Sequence, residues 1–167
     1  MNSGCLVKIR PLIISDLEEF TKWHGDDRVM RFLGMTQLTD DASRHLLESY
    51  LDDKNGVYFG IEYEDKLIGY TFLKNILKNH KVAREFGIVI GEPLYWDHGY
   101  GTEASRMIVE YGFKVLGLHR IELLVLDFNE RAQRVYEKLG FAVEGRQRQA
   151  RLVNNEWCDL IVMAKLN

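Results

Sequence analysis

At 167 residues the chain is long enough for one domain with a substantial core, and at 46% hydrophobic and 28% charged it has an ordinary globular composition. A net charge of −3 excludes a nucleic-acid binder that relies on a bulk basic surface, and no apolar run nears the roughly 18 residues of a membrane span. Cys5 and Cys158 lie far apart without a Cys-x-x-Cys, and Met1 to Arg10 lacks a leader's long apolar core; both point to a reduced, cytoplasmic protein with packed thiols.

In chain order, Leu6 to Arg10 reads as a first strand. Ser15 to Trp23 reads as a short helix with Ser15 or Asp16 as N-cap. Thr39 caps a second helix reaching about Leu51, whose pairs Leu46–Tyr50 and Leu47–Leu51 have i,i+4 spacing. Val57 to Tyr63 and Lys66 to Leu73 read as strands around the turn Glu64-Asp65, and Ala83 to Ile90 as a fourth strand.

The second half is more sharply patterned. Tyr100, Ala104, Met107, Ile108, Tyr111 and Val115 form one apolar helix face, with Gly117 as the stop. Ile121 to Leu126 is nearly all apolar, as in a strand covered on both faces. Asn129 caps a helix with the face Ala132, Val135, Tyr136 and Leu139, closed by Gly140. Phe141 to Gln149 and Glu156 to Ala164 form a hairpin around Asn154-Asn155, a pair suited to positive φ.

Between the fourth strand and the long helix stands Trp96-Asp97-His98-Gly99-Tyr100-Gly101-Thr102-Glu103-Ala104. A strand, a glycine turn and a helix N-terminus make a place for phosphate, because the first N–H groups of the helix are unpaired and carry its positive dipole end. A Rossmann fingerprint would need Gly where Ala104 stands, and a P-loop would need Gly-Lys-Ser/Thr, which is absent. The five histidines are scattered without metal-ligand spacing, so no metal is expected.

Four blocks in order resemble the GNAT (Gcn5-related N-acetyltransferase) family, in the branch that holds ribosomal-protein and spermidine acetyltransferases. They are Lys8-Ile9-Arg10-Pro11-Leu12 with Asp16-Leu17, then Gly99-Tyr100-Gly101-Thr102-Glu103-Ala104. Asn129-Glu130-Arg131-Ala132 with Tyr136-Glu137-Lys138-Leu139-Gly140-Phe141 follows, and then Glu144-Gly145-Arg146 with Trp157, Asp159 and Met163. Two positions depart from the family pattern: Trp96 replaces Gln or Arg, and Ala132 replaces a frequent Ser. The resemblance implies one α/β domain over residues 1–167. Its central sheet would be mixed, mostly antiparallel, with about 6–7 strands flanked by helices and splayed between the fourth and fifth.

It also implies acetyl-CoA as co-substrate. The amides of His98, Gly99, Tyr100, Gly101 and Thr102 would cradle the diphosphate. Ile88, Val89 and Ile90 would hold the pantetheine main chain to main chain, with an oxyanion-donating N–H near Val89. Asn129 would add a side-chain contact or act only as an N-cap. Attack of an amine on the thioester needs a proton acceptor for the amine and a proton source for the departing thiolate. Tyr136, a phenol two helical turns past Asn129, is the candidate source; from periodicity alone it reads as core. Glu85 is the candidate acceptor, against the alternative of an ordinary salt bridge across the sheet; His80 and His119 are weaker candidates.

The acceptor depends on residues 24–53, with seven acids (Asp26, Asp27, Asp40, Asp41, Glu48, Asp52, Asp53) against three bases (Arg28, Arg31, Arg44). That balance suits a polycation such as spermidine or an ordinary solvated face, and the same branch also acetylates peptide N-termini. A non-catalytic CoA-binding module is the alternative from another class. The retention of Tyr136, Glu85, Gly99 and Gly101 favours the enzyme. A homodimer fits family habit, although no segment demands one.

Overall fold

The computed structural model describes residues 6–167, so the reading of Cys5 lies outside the described residues. Strand β1 (Lys8–Pro11) leads through a 3-10 turn, Ile14–Asp16, to helices α1 (Leu17–His24), α2 (Asp27–Leu33) and α3 (Asp40–Asp52). Then come β2 (Val57–Tyr63), β3 (Lys66–Leu77), β4 (Val82–Ile90), α4 (Tyr100–Lys114), β5 (Arg120–Leu126) and α5 (Glu130–Lys138). The chain closes on β6 (Ala142–Val153) and β7 (Glu156–Leu166). The strands form one seven-stranded sheet in the order β1-β2-β3-β4-β5-β7-β6, parallel only between β4 and β5.

Helices cover both faces. On one face, α4 and α5 bury Ile108, Val109, Tyr136 and Leu139 against Leu73, Phe86, Ile121, Leu123 and Met163. On the other, α1, α2 and α3 bury Phe20, Trp23, Val29 and Leu47 against Tyr70, Phe72 and Val89. The opposite destinations of Phe86 and Val89 follow from the two-residue alternation of a strand.

Local chemistry sets most boundaries. Thr39 Oγ1 accepts from Ala42 N at 3.2 Å and Asn129 Oδ1 from Ala132 N at 3.2 Å, so both expected N-caps are in place. Asn154 and Asn155 take φ of 49° and 64° in the terminal hairpin. Asp16 behaves otherwise: its carboxylate does not cap α1 but grips Arg10 through two bonds of 2.8 and 2.7 Å and accepts from Ile13 N at 3.0 Å. Val115 falls just past α4 and is 65% exposed rather than part of its apolar face. Leu124 is 46% exposed, so β5 is not covered along its whole length.

His24 is buried beneath Tyr70. Its Nδ1 lies 2.7 Å from the Phe20 carbonyl, which can only accept, so Nδ1 carries the proton. Nε2, 3.0 Å away, then accepts from the Tyr70 hydroxyl. Burial lowers the His24 pKa from 6.5, favouring the neutral ring. A base whose folded pKa is depressed binds more protons when unfolded, so stability is lost as pH falls below about 6.5. We therefore expect the melting temperature to drop between pH 7 and pH 5. His24→Gln should melt lower at pH 7 but with a flatter pH dependence, read by thermal denaturation across that range.

Candidate active site

The sheet opens in its middle. β4 and β5 pair only at Val82↔Arg120 and Ala83↔Ile121, and then diverge. A cleft of about 590 Å³ fills the gap, lined by Glu85 to Ile90 of β4, Leu124 to Leu126 of β5, the loop before α4 and the inner side of α5. Strand parity decides which backbone groups look into it. Gly91 N donates to Ile68 O at 2.9 Å, placing residues 91, 89 and 87 in hydrogen-bonded pairs with β3. The N–H of Val89 is thus directed to Tyr70, and the amides turned toward the cleft are those of Phe86, Ile88 and Ile90.

The glycine loop closes one end. The Trp96 indole N–H donates to Ile90 O at 2.7 Å, tying the loop to the end of β4. Gly99, at φ 85°, starts α4, whose first helical bond runs from Glu103 N to Gly99 O. The N–H groups of Tyr100, Gly101 and Thr102 are left with no intrahelical acceptor, and all three residues line the cleft. A Cβ at Gly101 would meet only Ile90 Cγ1, at 3.6 Å, so nothing in the protein's own packing requires glycine there. His98 is off the lining; its Nδ1 lies 2.6 Å from Trp96 O and its ring stacks on Tyr100.

A basic rim stands beside the loop. The Arg131 guanidinium lies 4.6 Å from the Trp96 ring centroid, 5.5 Å from that of Phe32, and 3.5 Å from Asp97. Arg134, Lys138 and Arg151 line the same cleft. Outward amides, a helix N-terminus and these cations suit a diphosphate, and the space beside Gly101 lets one approach the backbone.

Tyr136 and Glu85 enter the cleft from opposite faces of the sheet. Tyr136 comes from the α5 side, buried against Phe86 and Phe141 at ring distances of 5.6 and 6.0 Å. Burial raises its pKa, so the phenol keeps its proton, and its hydroxyl bonds no described residue. Glu85 looks the other way, toward Tyr50, Tyr58 and Phe72. Its Oε1 lies 2.9 Å from Lys74 Nζ, and its Oε2 accepts from Asn75 Nδ2 at 3.3 Å. Burial, with the Glu85 charge added, pushes the Tyr50 phenol up to about 12. Asn129 caps α5 and also lines the cleft. Among the described residues no three His, Cys, Asp or Glu side chains could hold a metal ion.

Residues 7–142 match the sequence model of the acetyltransferase (GNAT) domain. The chain belongs to the GNAT family of acetyltransferases. It is 32% identical to a spermidine N(1)-acetyltransferase of Escherichia coli, over 98% of this chain and 87% of that protein. It is likewise 32% identical to the probable N-acetyltransferase YjcK of Bacillus subtilis, over 100% and 97%. Among solved structures, spermidine N-acetyltransferase from Vibrio cholerae in complex with CoA and spermine superposes with a TM-score of 0.90 at 26% identity, covering 98% of this chain and 96% of that one. A GNAT acetyltransferase from Bacillus anthracis gives 0.83 at 28% identity, over 96% and 94%. The chain is an acyltransferase with the GNAT fold, and that fold holds CoA in the Vibrio structure.

Sequence reading missed two parts of this GNAT cleft. Arg131, Arg134 and Lys138 are spaced three and four residues apart, a cationic stripe that helical periodicity could have found beside the apolar one. Lys74 gave no such signal, because its nearness to Glu85 depends on the register of β3 against β4.

The two glycines of the loop should part company on mutation. Gly99→Ala forces an L-residue into the left-handed region at a cost of about 1–2 kcal/mol, or roughly 2–8 °C in melting temperature. Gly101→Ala, inside α4, should melt at or slightly above the parent temperature, since alanine is the better helix former there. Calorimetry of both variants without ligand checks the contrast.

Proposed function

We propose that this GNAT enzyme transfers the acetyl group of acetyl-CoA to a primary amine by direct attack, and that the amine belongs to a polyamine such as spermidine. The observation that carries this reading is the pairing of Glu85 and Tyr136, a carboxylate and a protonated phenol, on opposite sides of one cleft. When bound, acetyl-CoA supplies an electrophilic thioester carbonyl and a thiol leaving group.

The amides of Tyr100, Gly101 and Thr102 hold the diphosphate, with Gly99 turning the chain and Arg131 neutralising charge beside it. His98, off the cleft lining, supports the loop instead through the Trp96 carbonyl and the Tyr100 ring. Ile88 and Ile90 offer the cleft-facing main chain to the pantetheine, and their N–H groups are the oxyanion donors that strand parity allows; Val89 holds the strand in register. Glu85 takes a proton from the bound acceptor's ammonium, directly or through water, and leaves the neutral amine that attacks the thioester carbonyl. Tyr136 gives its proton to the leaving sulfur, and its raised pKa keeps it protonated at neutral pH. Asn129 fixes the start of α5, and so the position of Tyr136 two turns on.

The polyamine reading rests on three supports. The E. coli relative and the Vibrio neighbour are spermidine acetyltransferases. On the Glu85 face of the sheet Phe72 lines the cleft, and Tyr50 and Tyr58 pack beside it, rings of a kind suited to alkylammonium groups. Asp27, Asp40, Asp41 and Asp52 are exposed on that side and make no ion pair with a described residue.

Release of CoA over an amine panel tests the acceptor. Spermidine and spermine should turn over with far higher kcat/KM than alanyl peptides; the reverse order would make the chain a peptide N-terminal acetyltransferase, and no turnover with tight acetyl-CoA binding would make it a binding module. Tyr136→Phe should lose about 10²–10⁴ in kcat, the usual worth of general acid catalysis, with melting temperature hardly changed, because the hydroxyl bonds no described residue. Gly101→Ala should instead raise the KM for acetyl-CoA by roughly tenfold, about 1.4 kcal/mol of lost cradle contacts.

A further inference from the structure

One cation of the chain already sits where the reaction needs one. Lys74 lies on β3 with its Cα opposite that of Glu85 on β4. Its Nζ is 2.9 Å from Glu85 Oε1 and 5.2 Å from the Phe72 ring centroid. Around it, Tyr50 and Tyr58 stack at 4.4 Å, and each comes within 6 Å of Phe72, at 5.8 and 5.7 Å. The Tyr58 hydroxyl is tied to Asp53 at 2.6 Å, which fixes that wall. A carboxylate beside the faces of aromatic rings is what a primary alkylammonium group binds, and lysine carries the same four-carbon ammonium arm as a polyamine end. Lys74 is about a quarter exposed, so its flexible arm has an open path to solvent.

We infer that Lys74 is a built-in stand-in for the acceptor: its ammonium occupies the Glu85–Phe72 subsite while no amine is bound and swings out when the acceptor's ammonium takes its place. The inference rests on the reading of Glu85 as the group that meets the acceptor. Lys74 then sets the concentration of amine needed to open the site and disfavours acceptors too weakly charged to displace it. A partly exposed ion pair with a cation–π contact makes displacement worth a modest factor, about three- to tenfold.

The test compares steady-state kinetics of Lys74→Met, Lys74→Arg and Lys54→Met, with spermidine as acceptor and again with a short alanyl peptide. Lys54 is an exposed cation at the end of α3 that is not bonded to Glu85, and it controls for the loss of one charge. The expected result is a three- to tenfold fall in acceptor KM for Lys74→Met, no fall for Lys74→Arg, a change under about 1.5-fold for Lys54→Met, and an unchanged KM for acetyl-CoA. An unchanged acceptor KM in Lys74→Met, with only its melting temperature lowered, makes Lys74 a plain cross-strand ion pair and overturns the inference. A rise in acceptor KM overturns it too, since Lys74 would then support the acceptor rather than compete with it. Equal falls in Lys74→Met and Lys54→Met also overturn it, because general electrostatics would suffice. Glu85→Gln separates the two levels. Full activity in that variant sinks the role given to Glu85 and the inference with it, whereas a loss of kcat there beside an unmoved KM in Lys74→Met sinks the inference alone.

Discussion

The short contact between β4 and β5 is the constraint on which the rest depends. Two strands run parallel for two residue pairs and part, leaving the backbone groups of Phe86, Ile88 and Ile90 without a strand partner on that side. Unpaired backbone polar groups are costly when buried, so the gap persists only because each strand is secured elsewhere. β4 is paired with β3 from Gly69↔Ile90 to Leu77↔Val82, and β5 with β7 along all of Arg120–Leu126. Phe86, Tyr136 and Phe141 wedge the opening from the α5 side. The sheet can therefore split without slipping, and the split gives a main-chain binding edge at the centre of a rigid core.

Because the cleft passes through the sheet, its two sides can carry opposite charge. The loop end holds the N-terminus of α4 with Arg131 of α5 beside it, and Arg134 and Lys138, also of α5, line the cleft as well. The other side holds Glu85 and Asp53. Under the proposed function, an anionic donor and a cationic acceptor would each be drawn to their own side and meet at the strand between. The barrier separating them is one strand thick, and alternation along it sends Glu85 to one face and Phe86 to the other.

Much of this was legible in the sequence, for local reasons. The α4 and α5 stripes, the caps Thr39 and Asn129, and the turn Asn154-Asn155 each need only nearby residues to be read. Helix α2 was less so: seven residues give too little period, although Asp26 caps it through Arg28 N and Gly34 ends it at φ 66°. β3 runs four residues past its expected end because Asn75, at φ 53°, breaks the alternation that marks a strand. The splay came from the family resemblance and not from spacing, since no pattern within β4 or β5 tells where two strands part. The choice of Ile88 and Ile90 over Val89 as cleft-facing amides, and the meeting of Lys74 with Glu85, both require the register of β3, a non-local fact.

Trp96, a departure from the commoner Gln or Arg, shows how a change of residue type can keep a mechanical role. Its indole N–H takes the carbonyl of Ile90, one of the cleft-facing groups of β4, and its ring face carries Arg131. Phe32 of α2 meets the same ring edge-on at 5.9 Å and also approaches the guanidinium. One side chain thus fastens the glycine loop to the strand that bears Glu85, and both to the first turn of α5. A shorter amide at this position could bond the carbonyl but has no face to carry the cation, and an arginine would repel Arg131. The register between the loop and β4 is in this way held by a single indole, and α2 leans on it directly through Phe32.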